Sequence, residues 1–200
     1  MNKNINYNFH INLNWVFLSI LIFIIEGFSF SNSDDFKTLY LVRHAKSSFA
    51  DSTLTDFDRP LNERGFSNAP EMGKRLHKLS VAPDIIISSP SKRTTQTIEF
   101  ICKEIKFDIN NVVWDSTIYH CSDKAMLDAI MNIRDEFKSA MIVGHNYTIT
   151  NLANKFQSDT IIEEVPTCGV VAIQFEIAHW KDVKNKKGKL LFFEYPKKVN

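Results

Sequence analysis

From residue 34 onward, short apolar runs alternate with longer stretches of helical periodicity. Thr38-Leu39-Tyr40-Leu41-Val42 reads as a strand for a sheet covered on both faces, and it stops abruptly at Arg43-His44-Ala45. Residues 46–58 are polar and include Asp51, Asp56 and Asp58. In the next segment, Arg59-Pro60-Leu61-Asn62-Glu63-Arg64-Gly65, Pro60 holds Arg59 extended and Asn62 is a good N-cap. A helix is expected from about Glu63 to Leu79, kinked at Pro70, which lacks a backbone donor.

Asp84-Ile85-Ile86-Ile87-Ser88-Ser89-Pro90 predicts a second buried strand. Ser91 then caps a helix whose apolar face is Ile98, Ile101, Cys102 and Ile105. Arg93 falls in that helix's first turn, where the helix dipole disfavours a cation unless an anion is held there too. Val112-Val113-Trp114 is a short strand candidate. Ser122 caps a helix expected to carry Met126, Ile130, Ile133 and Phe137 on one face. Met141-Ile142-Val143-Gly144-His145 repeats the first motif, a strand ending in histidine, and precedes a helix with Ile149, Leu152, Ala153 and Phe156. Residues 169–177 and 189–195 predict two more strands, paired as a hairpin or edge addition. The lysine-rich residues 180–188 between them are expected to form a solvated tip. Strand and helix alternate at spacings too long for hairpins, which implies parallel crossovers and a three-layer α/β/α sandwich with a mostly parallel central sheet.

The N-terminal residues break this pattern. After an Asn-rich run, residues 15–25 are almost continuously apolar and end at Glu26, with Gly27, Ser29 and Ser31 beyond. That run is short for a membrane span and matches the apolar region of a secretory signal. Residues 1–31 are therefore expected to be a signal peptide or a membrane anchor, and residues 38–200 a single catalytic domain. Export or membrane anchoring is the expected localisation, and a cytoplasmic protein is the alternative.

Of 200 residues, 44% are hydrophobic, enough for one core, and the formal net charge of +1 offers no field to recruit nucleic acid. Cys102, Cys121 and Cys168 form no C-x-x-C and are expected to be free thiols. Glycine-rich phosphate loops, H-E-x-x-H and G-x-S-x-G are absent, so no cofactor or metal is expected.

Three strand-to-helix junctions carry the chemistry: Arg43-His44, Arg93 and His145, with Arg59 in a nearby loop. Parallel strands present their carboxyl ends on one edge, where ligands bind in open α/β sheets. No carboxylate stands at those strand ends, so a strongly electropositive pocket for a tetrahedral dianion is expected. A neutral imidazole can attack phosphorus, and phosphoryl transfer needs mainly positioning and charge stabilisation. His10, His77, His120 and His179 are expected to be structural or exposed.

Leu41-Val42-Arg43-His44-Ala45, Asp56-Phe57-Asp58-Arg59-Pro60-Leu61-Asn62-Glu63-Arg64-Gly65, Ser88-Ser89-Pro90-Ser91-Lys92-Arg93-Thr94-Thr95-Gln96-Thr97 and Val143-Gly144-His145-Asn146 together resemble the histidine phosphatase superfamily. Within it they are most similar to the small phosphohistidine phosphatase (SixA-like) branch. The resemblance implies a phosphoglycerate mutase-like fold and no cofactor. It assigns His44 as the nucleophile that becomes phosphohistidine, Arg43, Arg59 and Arg93 as phosphoryl ligands, and His145 as the group that completes the pocket. The implied partner is a phosphorylated protein or a small phosphoester, and a monomer is expected. The readings to weigh against a phosphohistidine phosphatase are a small-phosphoester phosphatase, a binding protein that no longer turns over and, more weakly, a mutase. Two departures stand out. Ala45 replaces the usual glycine, and Tyr147-Thr148 replace the branch's usual Pro-Gly, which puts the local turn and access to the pocket in question. Asp56 or Asp58 is the nearest candidate for a leaving-group acid, although a loop-capping role suits both better.

Overall fold

The computed structural model describes residues 36–198. The signal or anchor expected over residues 1–31 lies outside the described residues. Strands β1 (Phe36–Arg43), β2 (Ile85–Ser88), β3 (Val113–Trp114), β4 (Ser139–Gly144), β5 (Val170–Glu176) and β6 (Lys189–Glu194) form one sheet in the order β3-β2-β4-β1-β5-β6. The pairs β1–β4, β2–β4 and β2–β3 are parallel, whereas β5 and β6 join antiparallel at one side. The fold is thus α/β with a mixed, mostly parallel core.

Side-chain alternation along β1 builds the three layers. Leu39 and Leu41 point to one face, Tyr40 and Val42 to the other. The first face packs under α3 (Asp123–Met131) and α4 (Thr148–Phe156), through Met126, Ile130, Ile149 and Phe156. The second packs under α1 (Glu63–Lys78) and α2 (Lys92–Ile105), through Met72, Leu76, Ile98 and Ile101. The Asn62 side chain accepts from the Gly65 N–H 3.0 Å away, as its N-cap position requires, and α1 runs unbroken through Pro70.

Two expectations fail, both because distant contacts override local pattern. Helix α3 ends at Met131 instead of continuing to Phe137. The chain turns there, and the Phe137 carbonyl accepts from the buried Lys37 Nζ and from the Trp180 indole, each at 2.9 Å. Residues 180–188 are not merely a solvated tip. Trp180–Asn185 form a 3₁₀ turn with Trp180 and Val183 in the core, while Lys181, Lys184, Lys186 and Lys187 lie toward solvent. Of the thiols, Cys102 and Cys168 are buried and Cys121 half-buried, all free.

Register sets the position of the site. Arg43 pairs with Gly144 and Ser88 with Val143, so the carboxyl ends of β1, β4 and β2 stand side by side.

Candidate active site

At that edge the backbone is pinned from several directions. The His44 N–H donates to the Gly144 carbonyl (3.1 Å), and the Cys168 N–H donates to the carbonyls of Arg43 (3.1 Å) and His44 (3.0 Å). The His44 Nδ1 lies 2.7 Å from the Ala45 carbonyl. A carbonyl only accepts, so Nδ1 carries the proton and Nε2 keeps its lone pair. The His145 Nδ1 faces Arg93 Nη2 at 3.2 Å, and a guanidinium only donates. His145 is therefore protonated on Nε2, which donates to Ser89 Oγ at 2.9 Å. The two imidazole centroids are 5.1 Å apart.

Both rings are held neutral. Burial, with the charges of Arg93, Arg43 and Arg59, lowers His44 to about 3, against the opposing pull of its Ala45 hydrogen bond. Burial, then His44, Arg93 and His120, lowers His145 to about 2, with Asp56 opposing. The Arg93 side chain is only 1% exposed. The Nε atoms of Arg43 and Arg93 are buried and have no hydrogen-bond partner among the described residues. Two cationic donors left unpaired at one edge suit an oxyanion.

The pocket is not free of carboxylates, contrary to the sequence-based expectation. Asp56 reaches in from the polar loop. Its carboxylate accepts from Tyr119 Oη (2.7 Å), His120 Nε2 (2.8 Å), Arg93 Nη2 (2.9 Å) and Arg59 Nε (3.0 Å). Desolvation works against its charge, but the hydrogen bonds from His120, Tyr119 and Arg59 and the charge of Arg93 hold it well below the usual carboxylate range. Asp56 is therefore an ionised anchor and not a proton donor. Asp58 keeps the loop-capping role, accepting from Thr55 Oγ1 at 2.6 Å. Glu164 is the second carboxylate; it pairs with Arg43 Nη1 and accepts from Asn146 Nδ2 at 3.3 Å. Two carboxylates thus offset part of the charge of three arginines.

Arg43, His44, Arg59, Arg93 and His145 all converge here, Arg59 through Asp56 and through Ser47 Oγ at 3.0 Å. Sequence reasoning missed Tyr119, His120 and Glu164, and it weighed Asp56 only as a leaving-group acid or a loop cap, not as the ionised anchor of Arg59 and Arg93. The His120 ring stacks on His145, with centroids 5.1 Å apart and planes 17° apart. His120 lies six residues beyond β3, past a 3₁₀ turn at Ser116–Ile118, so no strand-end pattern marked it. Strand β3 is itself two exposed residues long and did not mark its end as part of the edge. Tyr147 is 75% exposed and, with His120, His145 and Asn146, lines a side pocket of about 150 Å³. A larger cleft of about 480 Å³ opens beside Arg43, lined also by Lys46, Arg64, Glu164, Tyr195 and Lys197.

Comparison with known proteins agrees with this geometry. The family profile of the histidine phosphatase superfamily (branch 1) matches residues 39–115, which hold Arg43, His44, Arg59 and Arg93. An uncharacterised protein of Mycobacterium tuberculosis, Rv1276c, is 27% identical over 165 residues, 78% of this chain and all of that one. A structure of SixA from Agrobacterium tumefaciens, assigned as a phosphohistidine phosphatase, superposes with a TM-score of 0.67 at 28% identity, covering 80% of this chain and 98% of that one. The protein histidine phosphatase SixA complexed with tungstate gives the same TM-score at 15% identity, covering 80% and 97%, a likeness of fold. The family profile over residues 39–115 and the SixA structure from Agrobacterium tumefaciens make the chain similar to the histidine phosphatase superfamily, on its SixA-like side.

Proposed function

We propose that this protein is a metal-independent phosphatase working through a phosphohistidine at His44, with a phosphohistidine-bearing protein as its substrate. One observation carries the reading: the His44 Nε2 lone pair is fixed at a strand edge beside Arg43, Arg93 and a neutral His145. In the first half-reaction Nε2 attacks phosphorus and the bond to the leaving atom breaks. The arginines take the charge of the phosphoryl oxygens. Water then cleaves the phosphorus–nitrogen bond, releasing phosphate and free His44. Asp56 is ionised and has no proton to give. A phosphohistidine leaves through nitrogen and makes the smallest demand for an acid, so it needs no proton from Asp56. The Agrobacterium SixA, 28% identical, is named as a candidate phosphohistidine phosphatase, which supports this substrate class.

The second reading is a small-phosphoester phosphatase. The cleft beside Arg43, with Lys46, Arg64 and Lys197 on its walls, favours it, because those cations match a second anionic group on the substrate. Export through residues 1–31 would also favour it, and N-terminal sequencing of the protein from fractionated cells decides that point.

The test is a rapid quench into alkaline detergent, which preserves an acid-labile phosphorus–nitrogen bond, with a phosphohistidine protein and with p-nitrophenyl phosphate. The expected result is base-stable label on His44, loss of label and turnover in His44→Ala with circular dichroism unchanged, and full activity in EDTA. Turnover retained by His44→Ala refutes the mechanism. Tight binding of the phosphoprotein without phosphate release supports a binding protein instead.

A further inference from the structure

We propose that His120 is a further catalytic residue of this site, the group that gives the leaving oxygen its proton and so lets the enzyme cleave phosphate monoesters. The proposal rests on the phosphatase reading above.

The observations are geometric. His120 lies at the rim of the pocket, with its side chain 54% exposed and its ring stacked on His145. It lines the small side pocket together with His145, Asn146 and Tyr147. Its Nε2 is tied to Asp56 Oδ2 at 2.8 Å and lies 3.3 Å from Arg93 Nη2. The Tyr119 ring meets it edge-on at 4.5 Å. The charged and titratable groups facing it are thus Asp56 from the polar loop, Arg93 from α2, His145 after β4 and Tyr119 beside it. A carboxylate that fixes one ring nitrogen leaves the other to exchange a proton, and His120 Nδ1 makes no hydrogen bond among the described residues. The backbone adds a second sign. His120 sits at φ 46°, a left-handed conformation that residues with a Cβ rarely adopt. Such placements persist where the surroundings impose them, and they cluster at functional sites.

The proton balance closes over one cycle. As His44 Nε2 bonds to phosphorus, the phosphorus–oxygen bond of the ester breaks and its electron pair stays on oxygen. His120, entering as imidazolium, transfers its Nδ1 proton to that oxygen, and the alcohol departs. Nε2–H stays on Asp56 throughout. Water then attacks phosphorus, Nδ1 takes the water's proton, and the phosphorus–nitrogen bond returns its pair to His44. Phosphate leaves and His120 is imidazolium again.

The test compares two esters that differ in their need for that proton. p-Nitrophenolate departs readily as an anion, whereas phenolate is a poor leaving group without protonation. In His120→Asn, chosen because asparagine tolerates the left-handed backbone, kcat/KM for phenyl phosphate should fall about 10²-fold or more, while p-nitrophenyl phosphate loses less than about tenfold. His120→Gln keeps a donor for Asp56 but cannot titrate. It should show the same selective loss, and it becomes the deciding variant if circular dichroism shows the Asn variant misfolded. Equal losses on both esters, no loss on either, or recovery of phenyl phosphate turnover by Gln overturns the proposal and leaves the phosphatase reading standing. Wild-type protein that turns over neither ester overturns the proposal, and the phosphatase reading falls only if a phosphohistidine protein is not turned over either.

Discussion

Two imidazoles held neutral inside the fold make it sensitive to mild acid. In water an imidazole titrates near pH 6.5, but folded His44 holds out to about 3 and His145 to about 2. Between those limits the unfolded chain binds protons that the folded chain refuses, so stability falls as pH drops below 6.5. At pH 5 each ring costs about 2 kcal/mol, from RT ln(1 + 10^1.5). The pair costs about 4 kcal/mol, a large part of the ~5–15 kcal/mol that holds a domain of this size. Asp56 acts in a different window. Its carboxyl is held below the ordinary value, so its contribution is intact above about pH 4 and lost only below it. Urea unfolding at pH 7 and pH 5, in buffers without phosphate, measures the effect. Wild-type protein should lose about 4 kcal/mol on going to pH 5, and the double variant His44→Gln/His145→Gln should lose far less. Equal unfolding free energies of the wild type at the two pH values, or an equal drop in the double variant, would refute the reasoning.

Two further outcomes test how the scaffold holds the site. Gly65→Ala places a Cβ 2.3 Å from the Lys46 carbonyl oxygen, which is itself held by the Asn62 N–H at 2.9 Å and so cannot swing away. The variant should lose about 1–3 kcal/mol in urea unfolding and also lose kcat, because Lys46 lies two residues from His44. Trp180→Ala empties a fully buried site and should cost about 3–5 kcal/mol in the same assay, with little change in KM because Trp180 lies on the α3–α4 face, among core residues and away from the pocket.

The sequence by itself determined what depends on near neighbours. The continuous apolar run of residues 39–42 specifies a strand buried on both faces, Asn62 starts α1, and the apolar spacing of residues 98–105 sets the buried face of α2. Because parallel strands end on one edge, Arg43, His44, Arg93 and His145 were also legible as a group, before any coordinate located them.

Only the tertiary structure decided what depends on residues far apart in the chain. Asp56 meets Tyr119 and His120 across 63 and 64 residues, and Arg43 meets Glu164 across 121. No periodicity encodes those pairings, so a pocket expected to be purely cationic holds two carboxylates and a third imidazole. The early end of α3 has the same origin. Its apolar spacing continues past Met131, but the chain turns where Lys37 and Trp180 claim the carbonyl of Phe137. Local pattern chooses the elements because its interactions close within a few residues; the charge and proton inventory of the site is set by side chains that meet only once the sheet has aligned its strand ends.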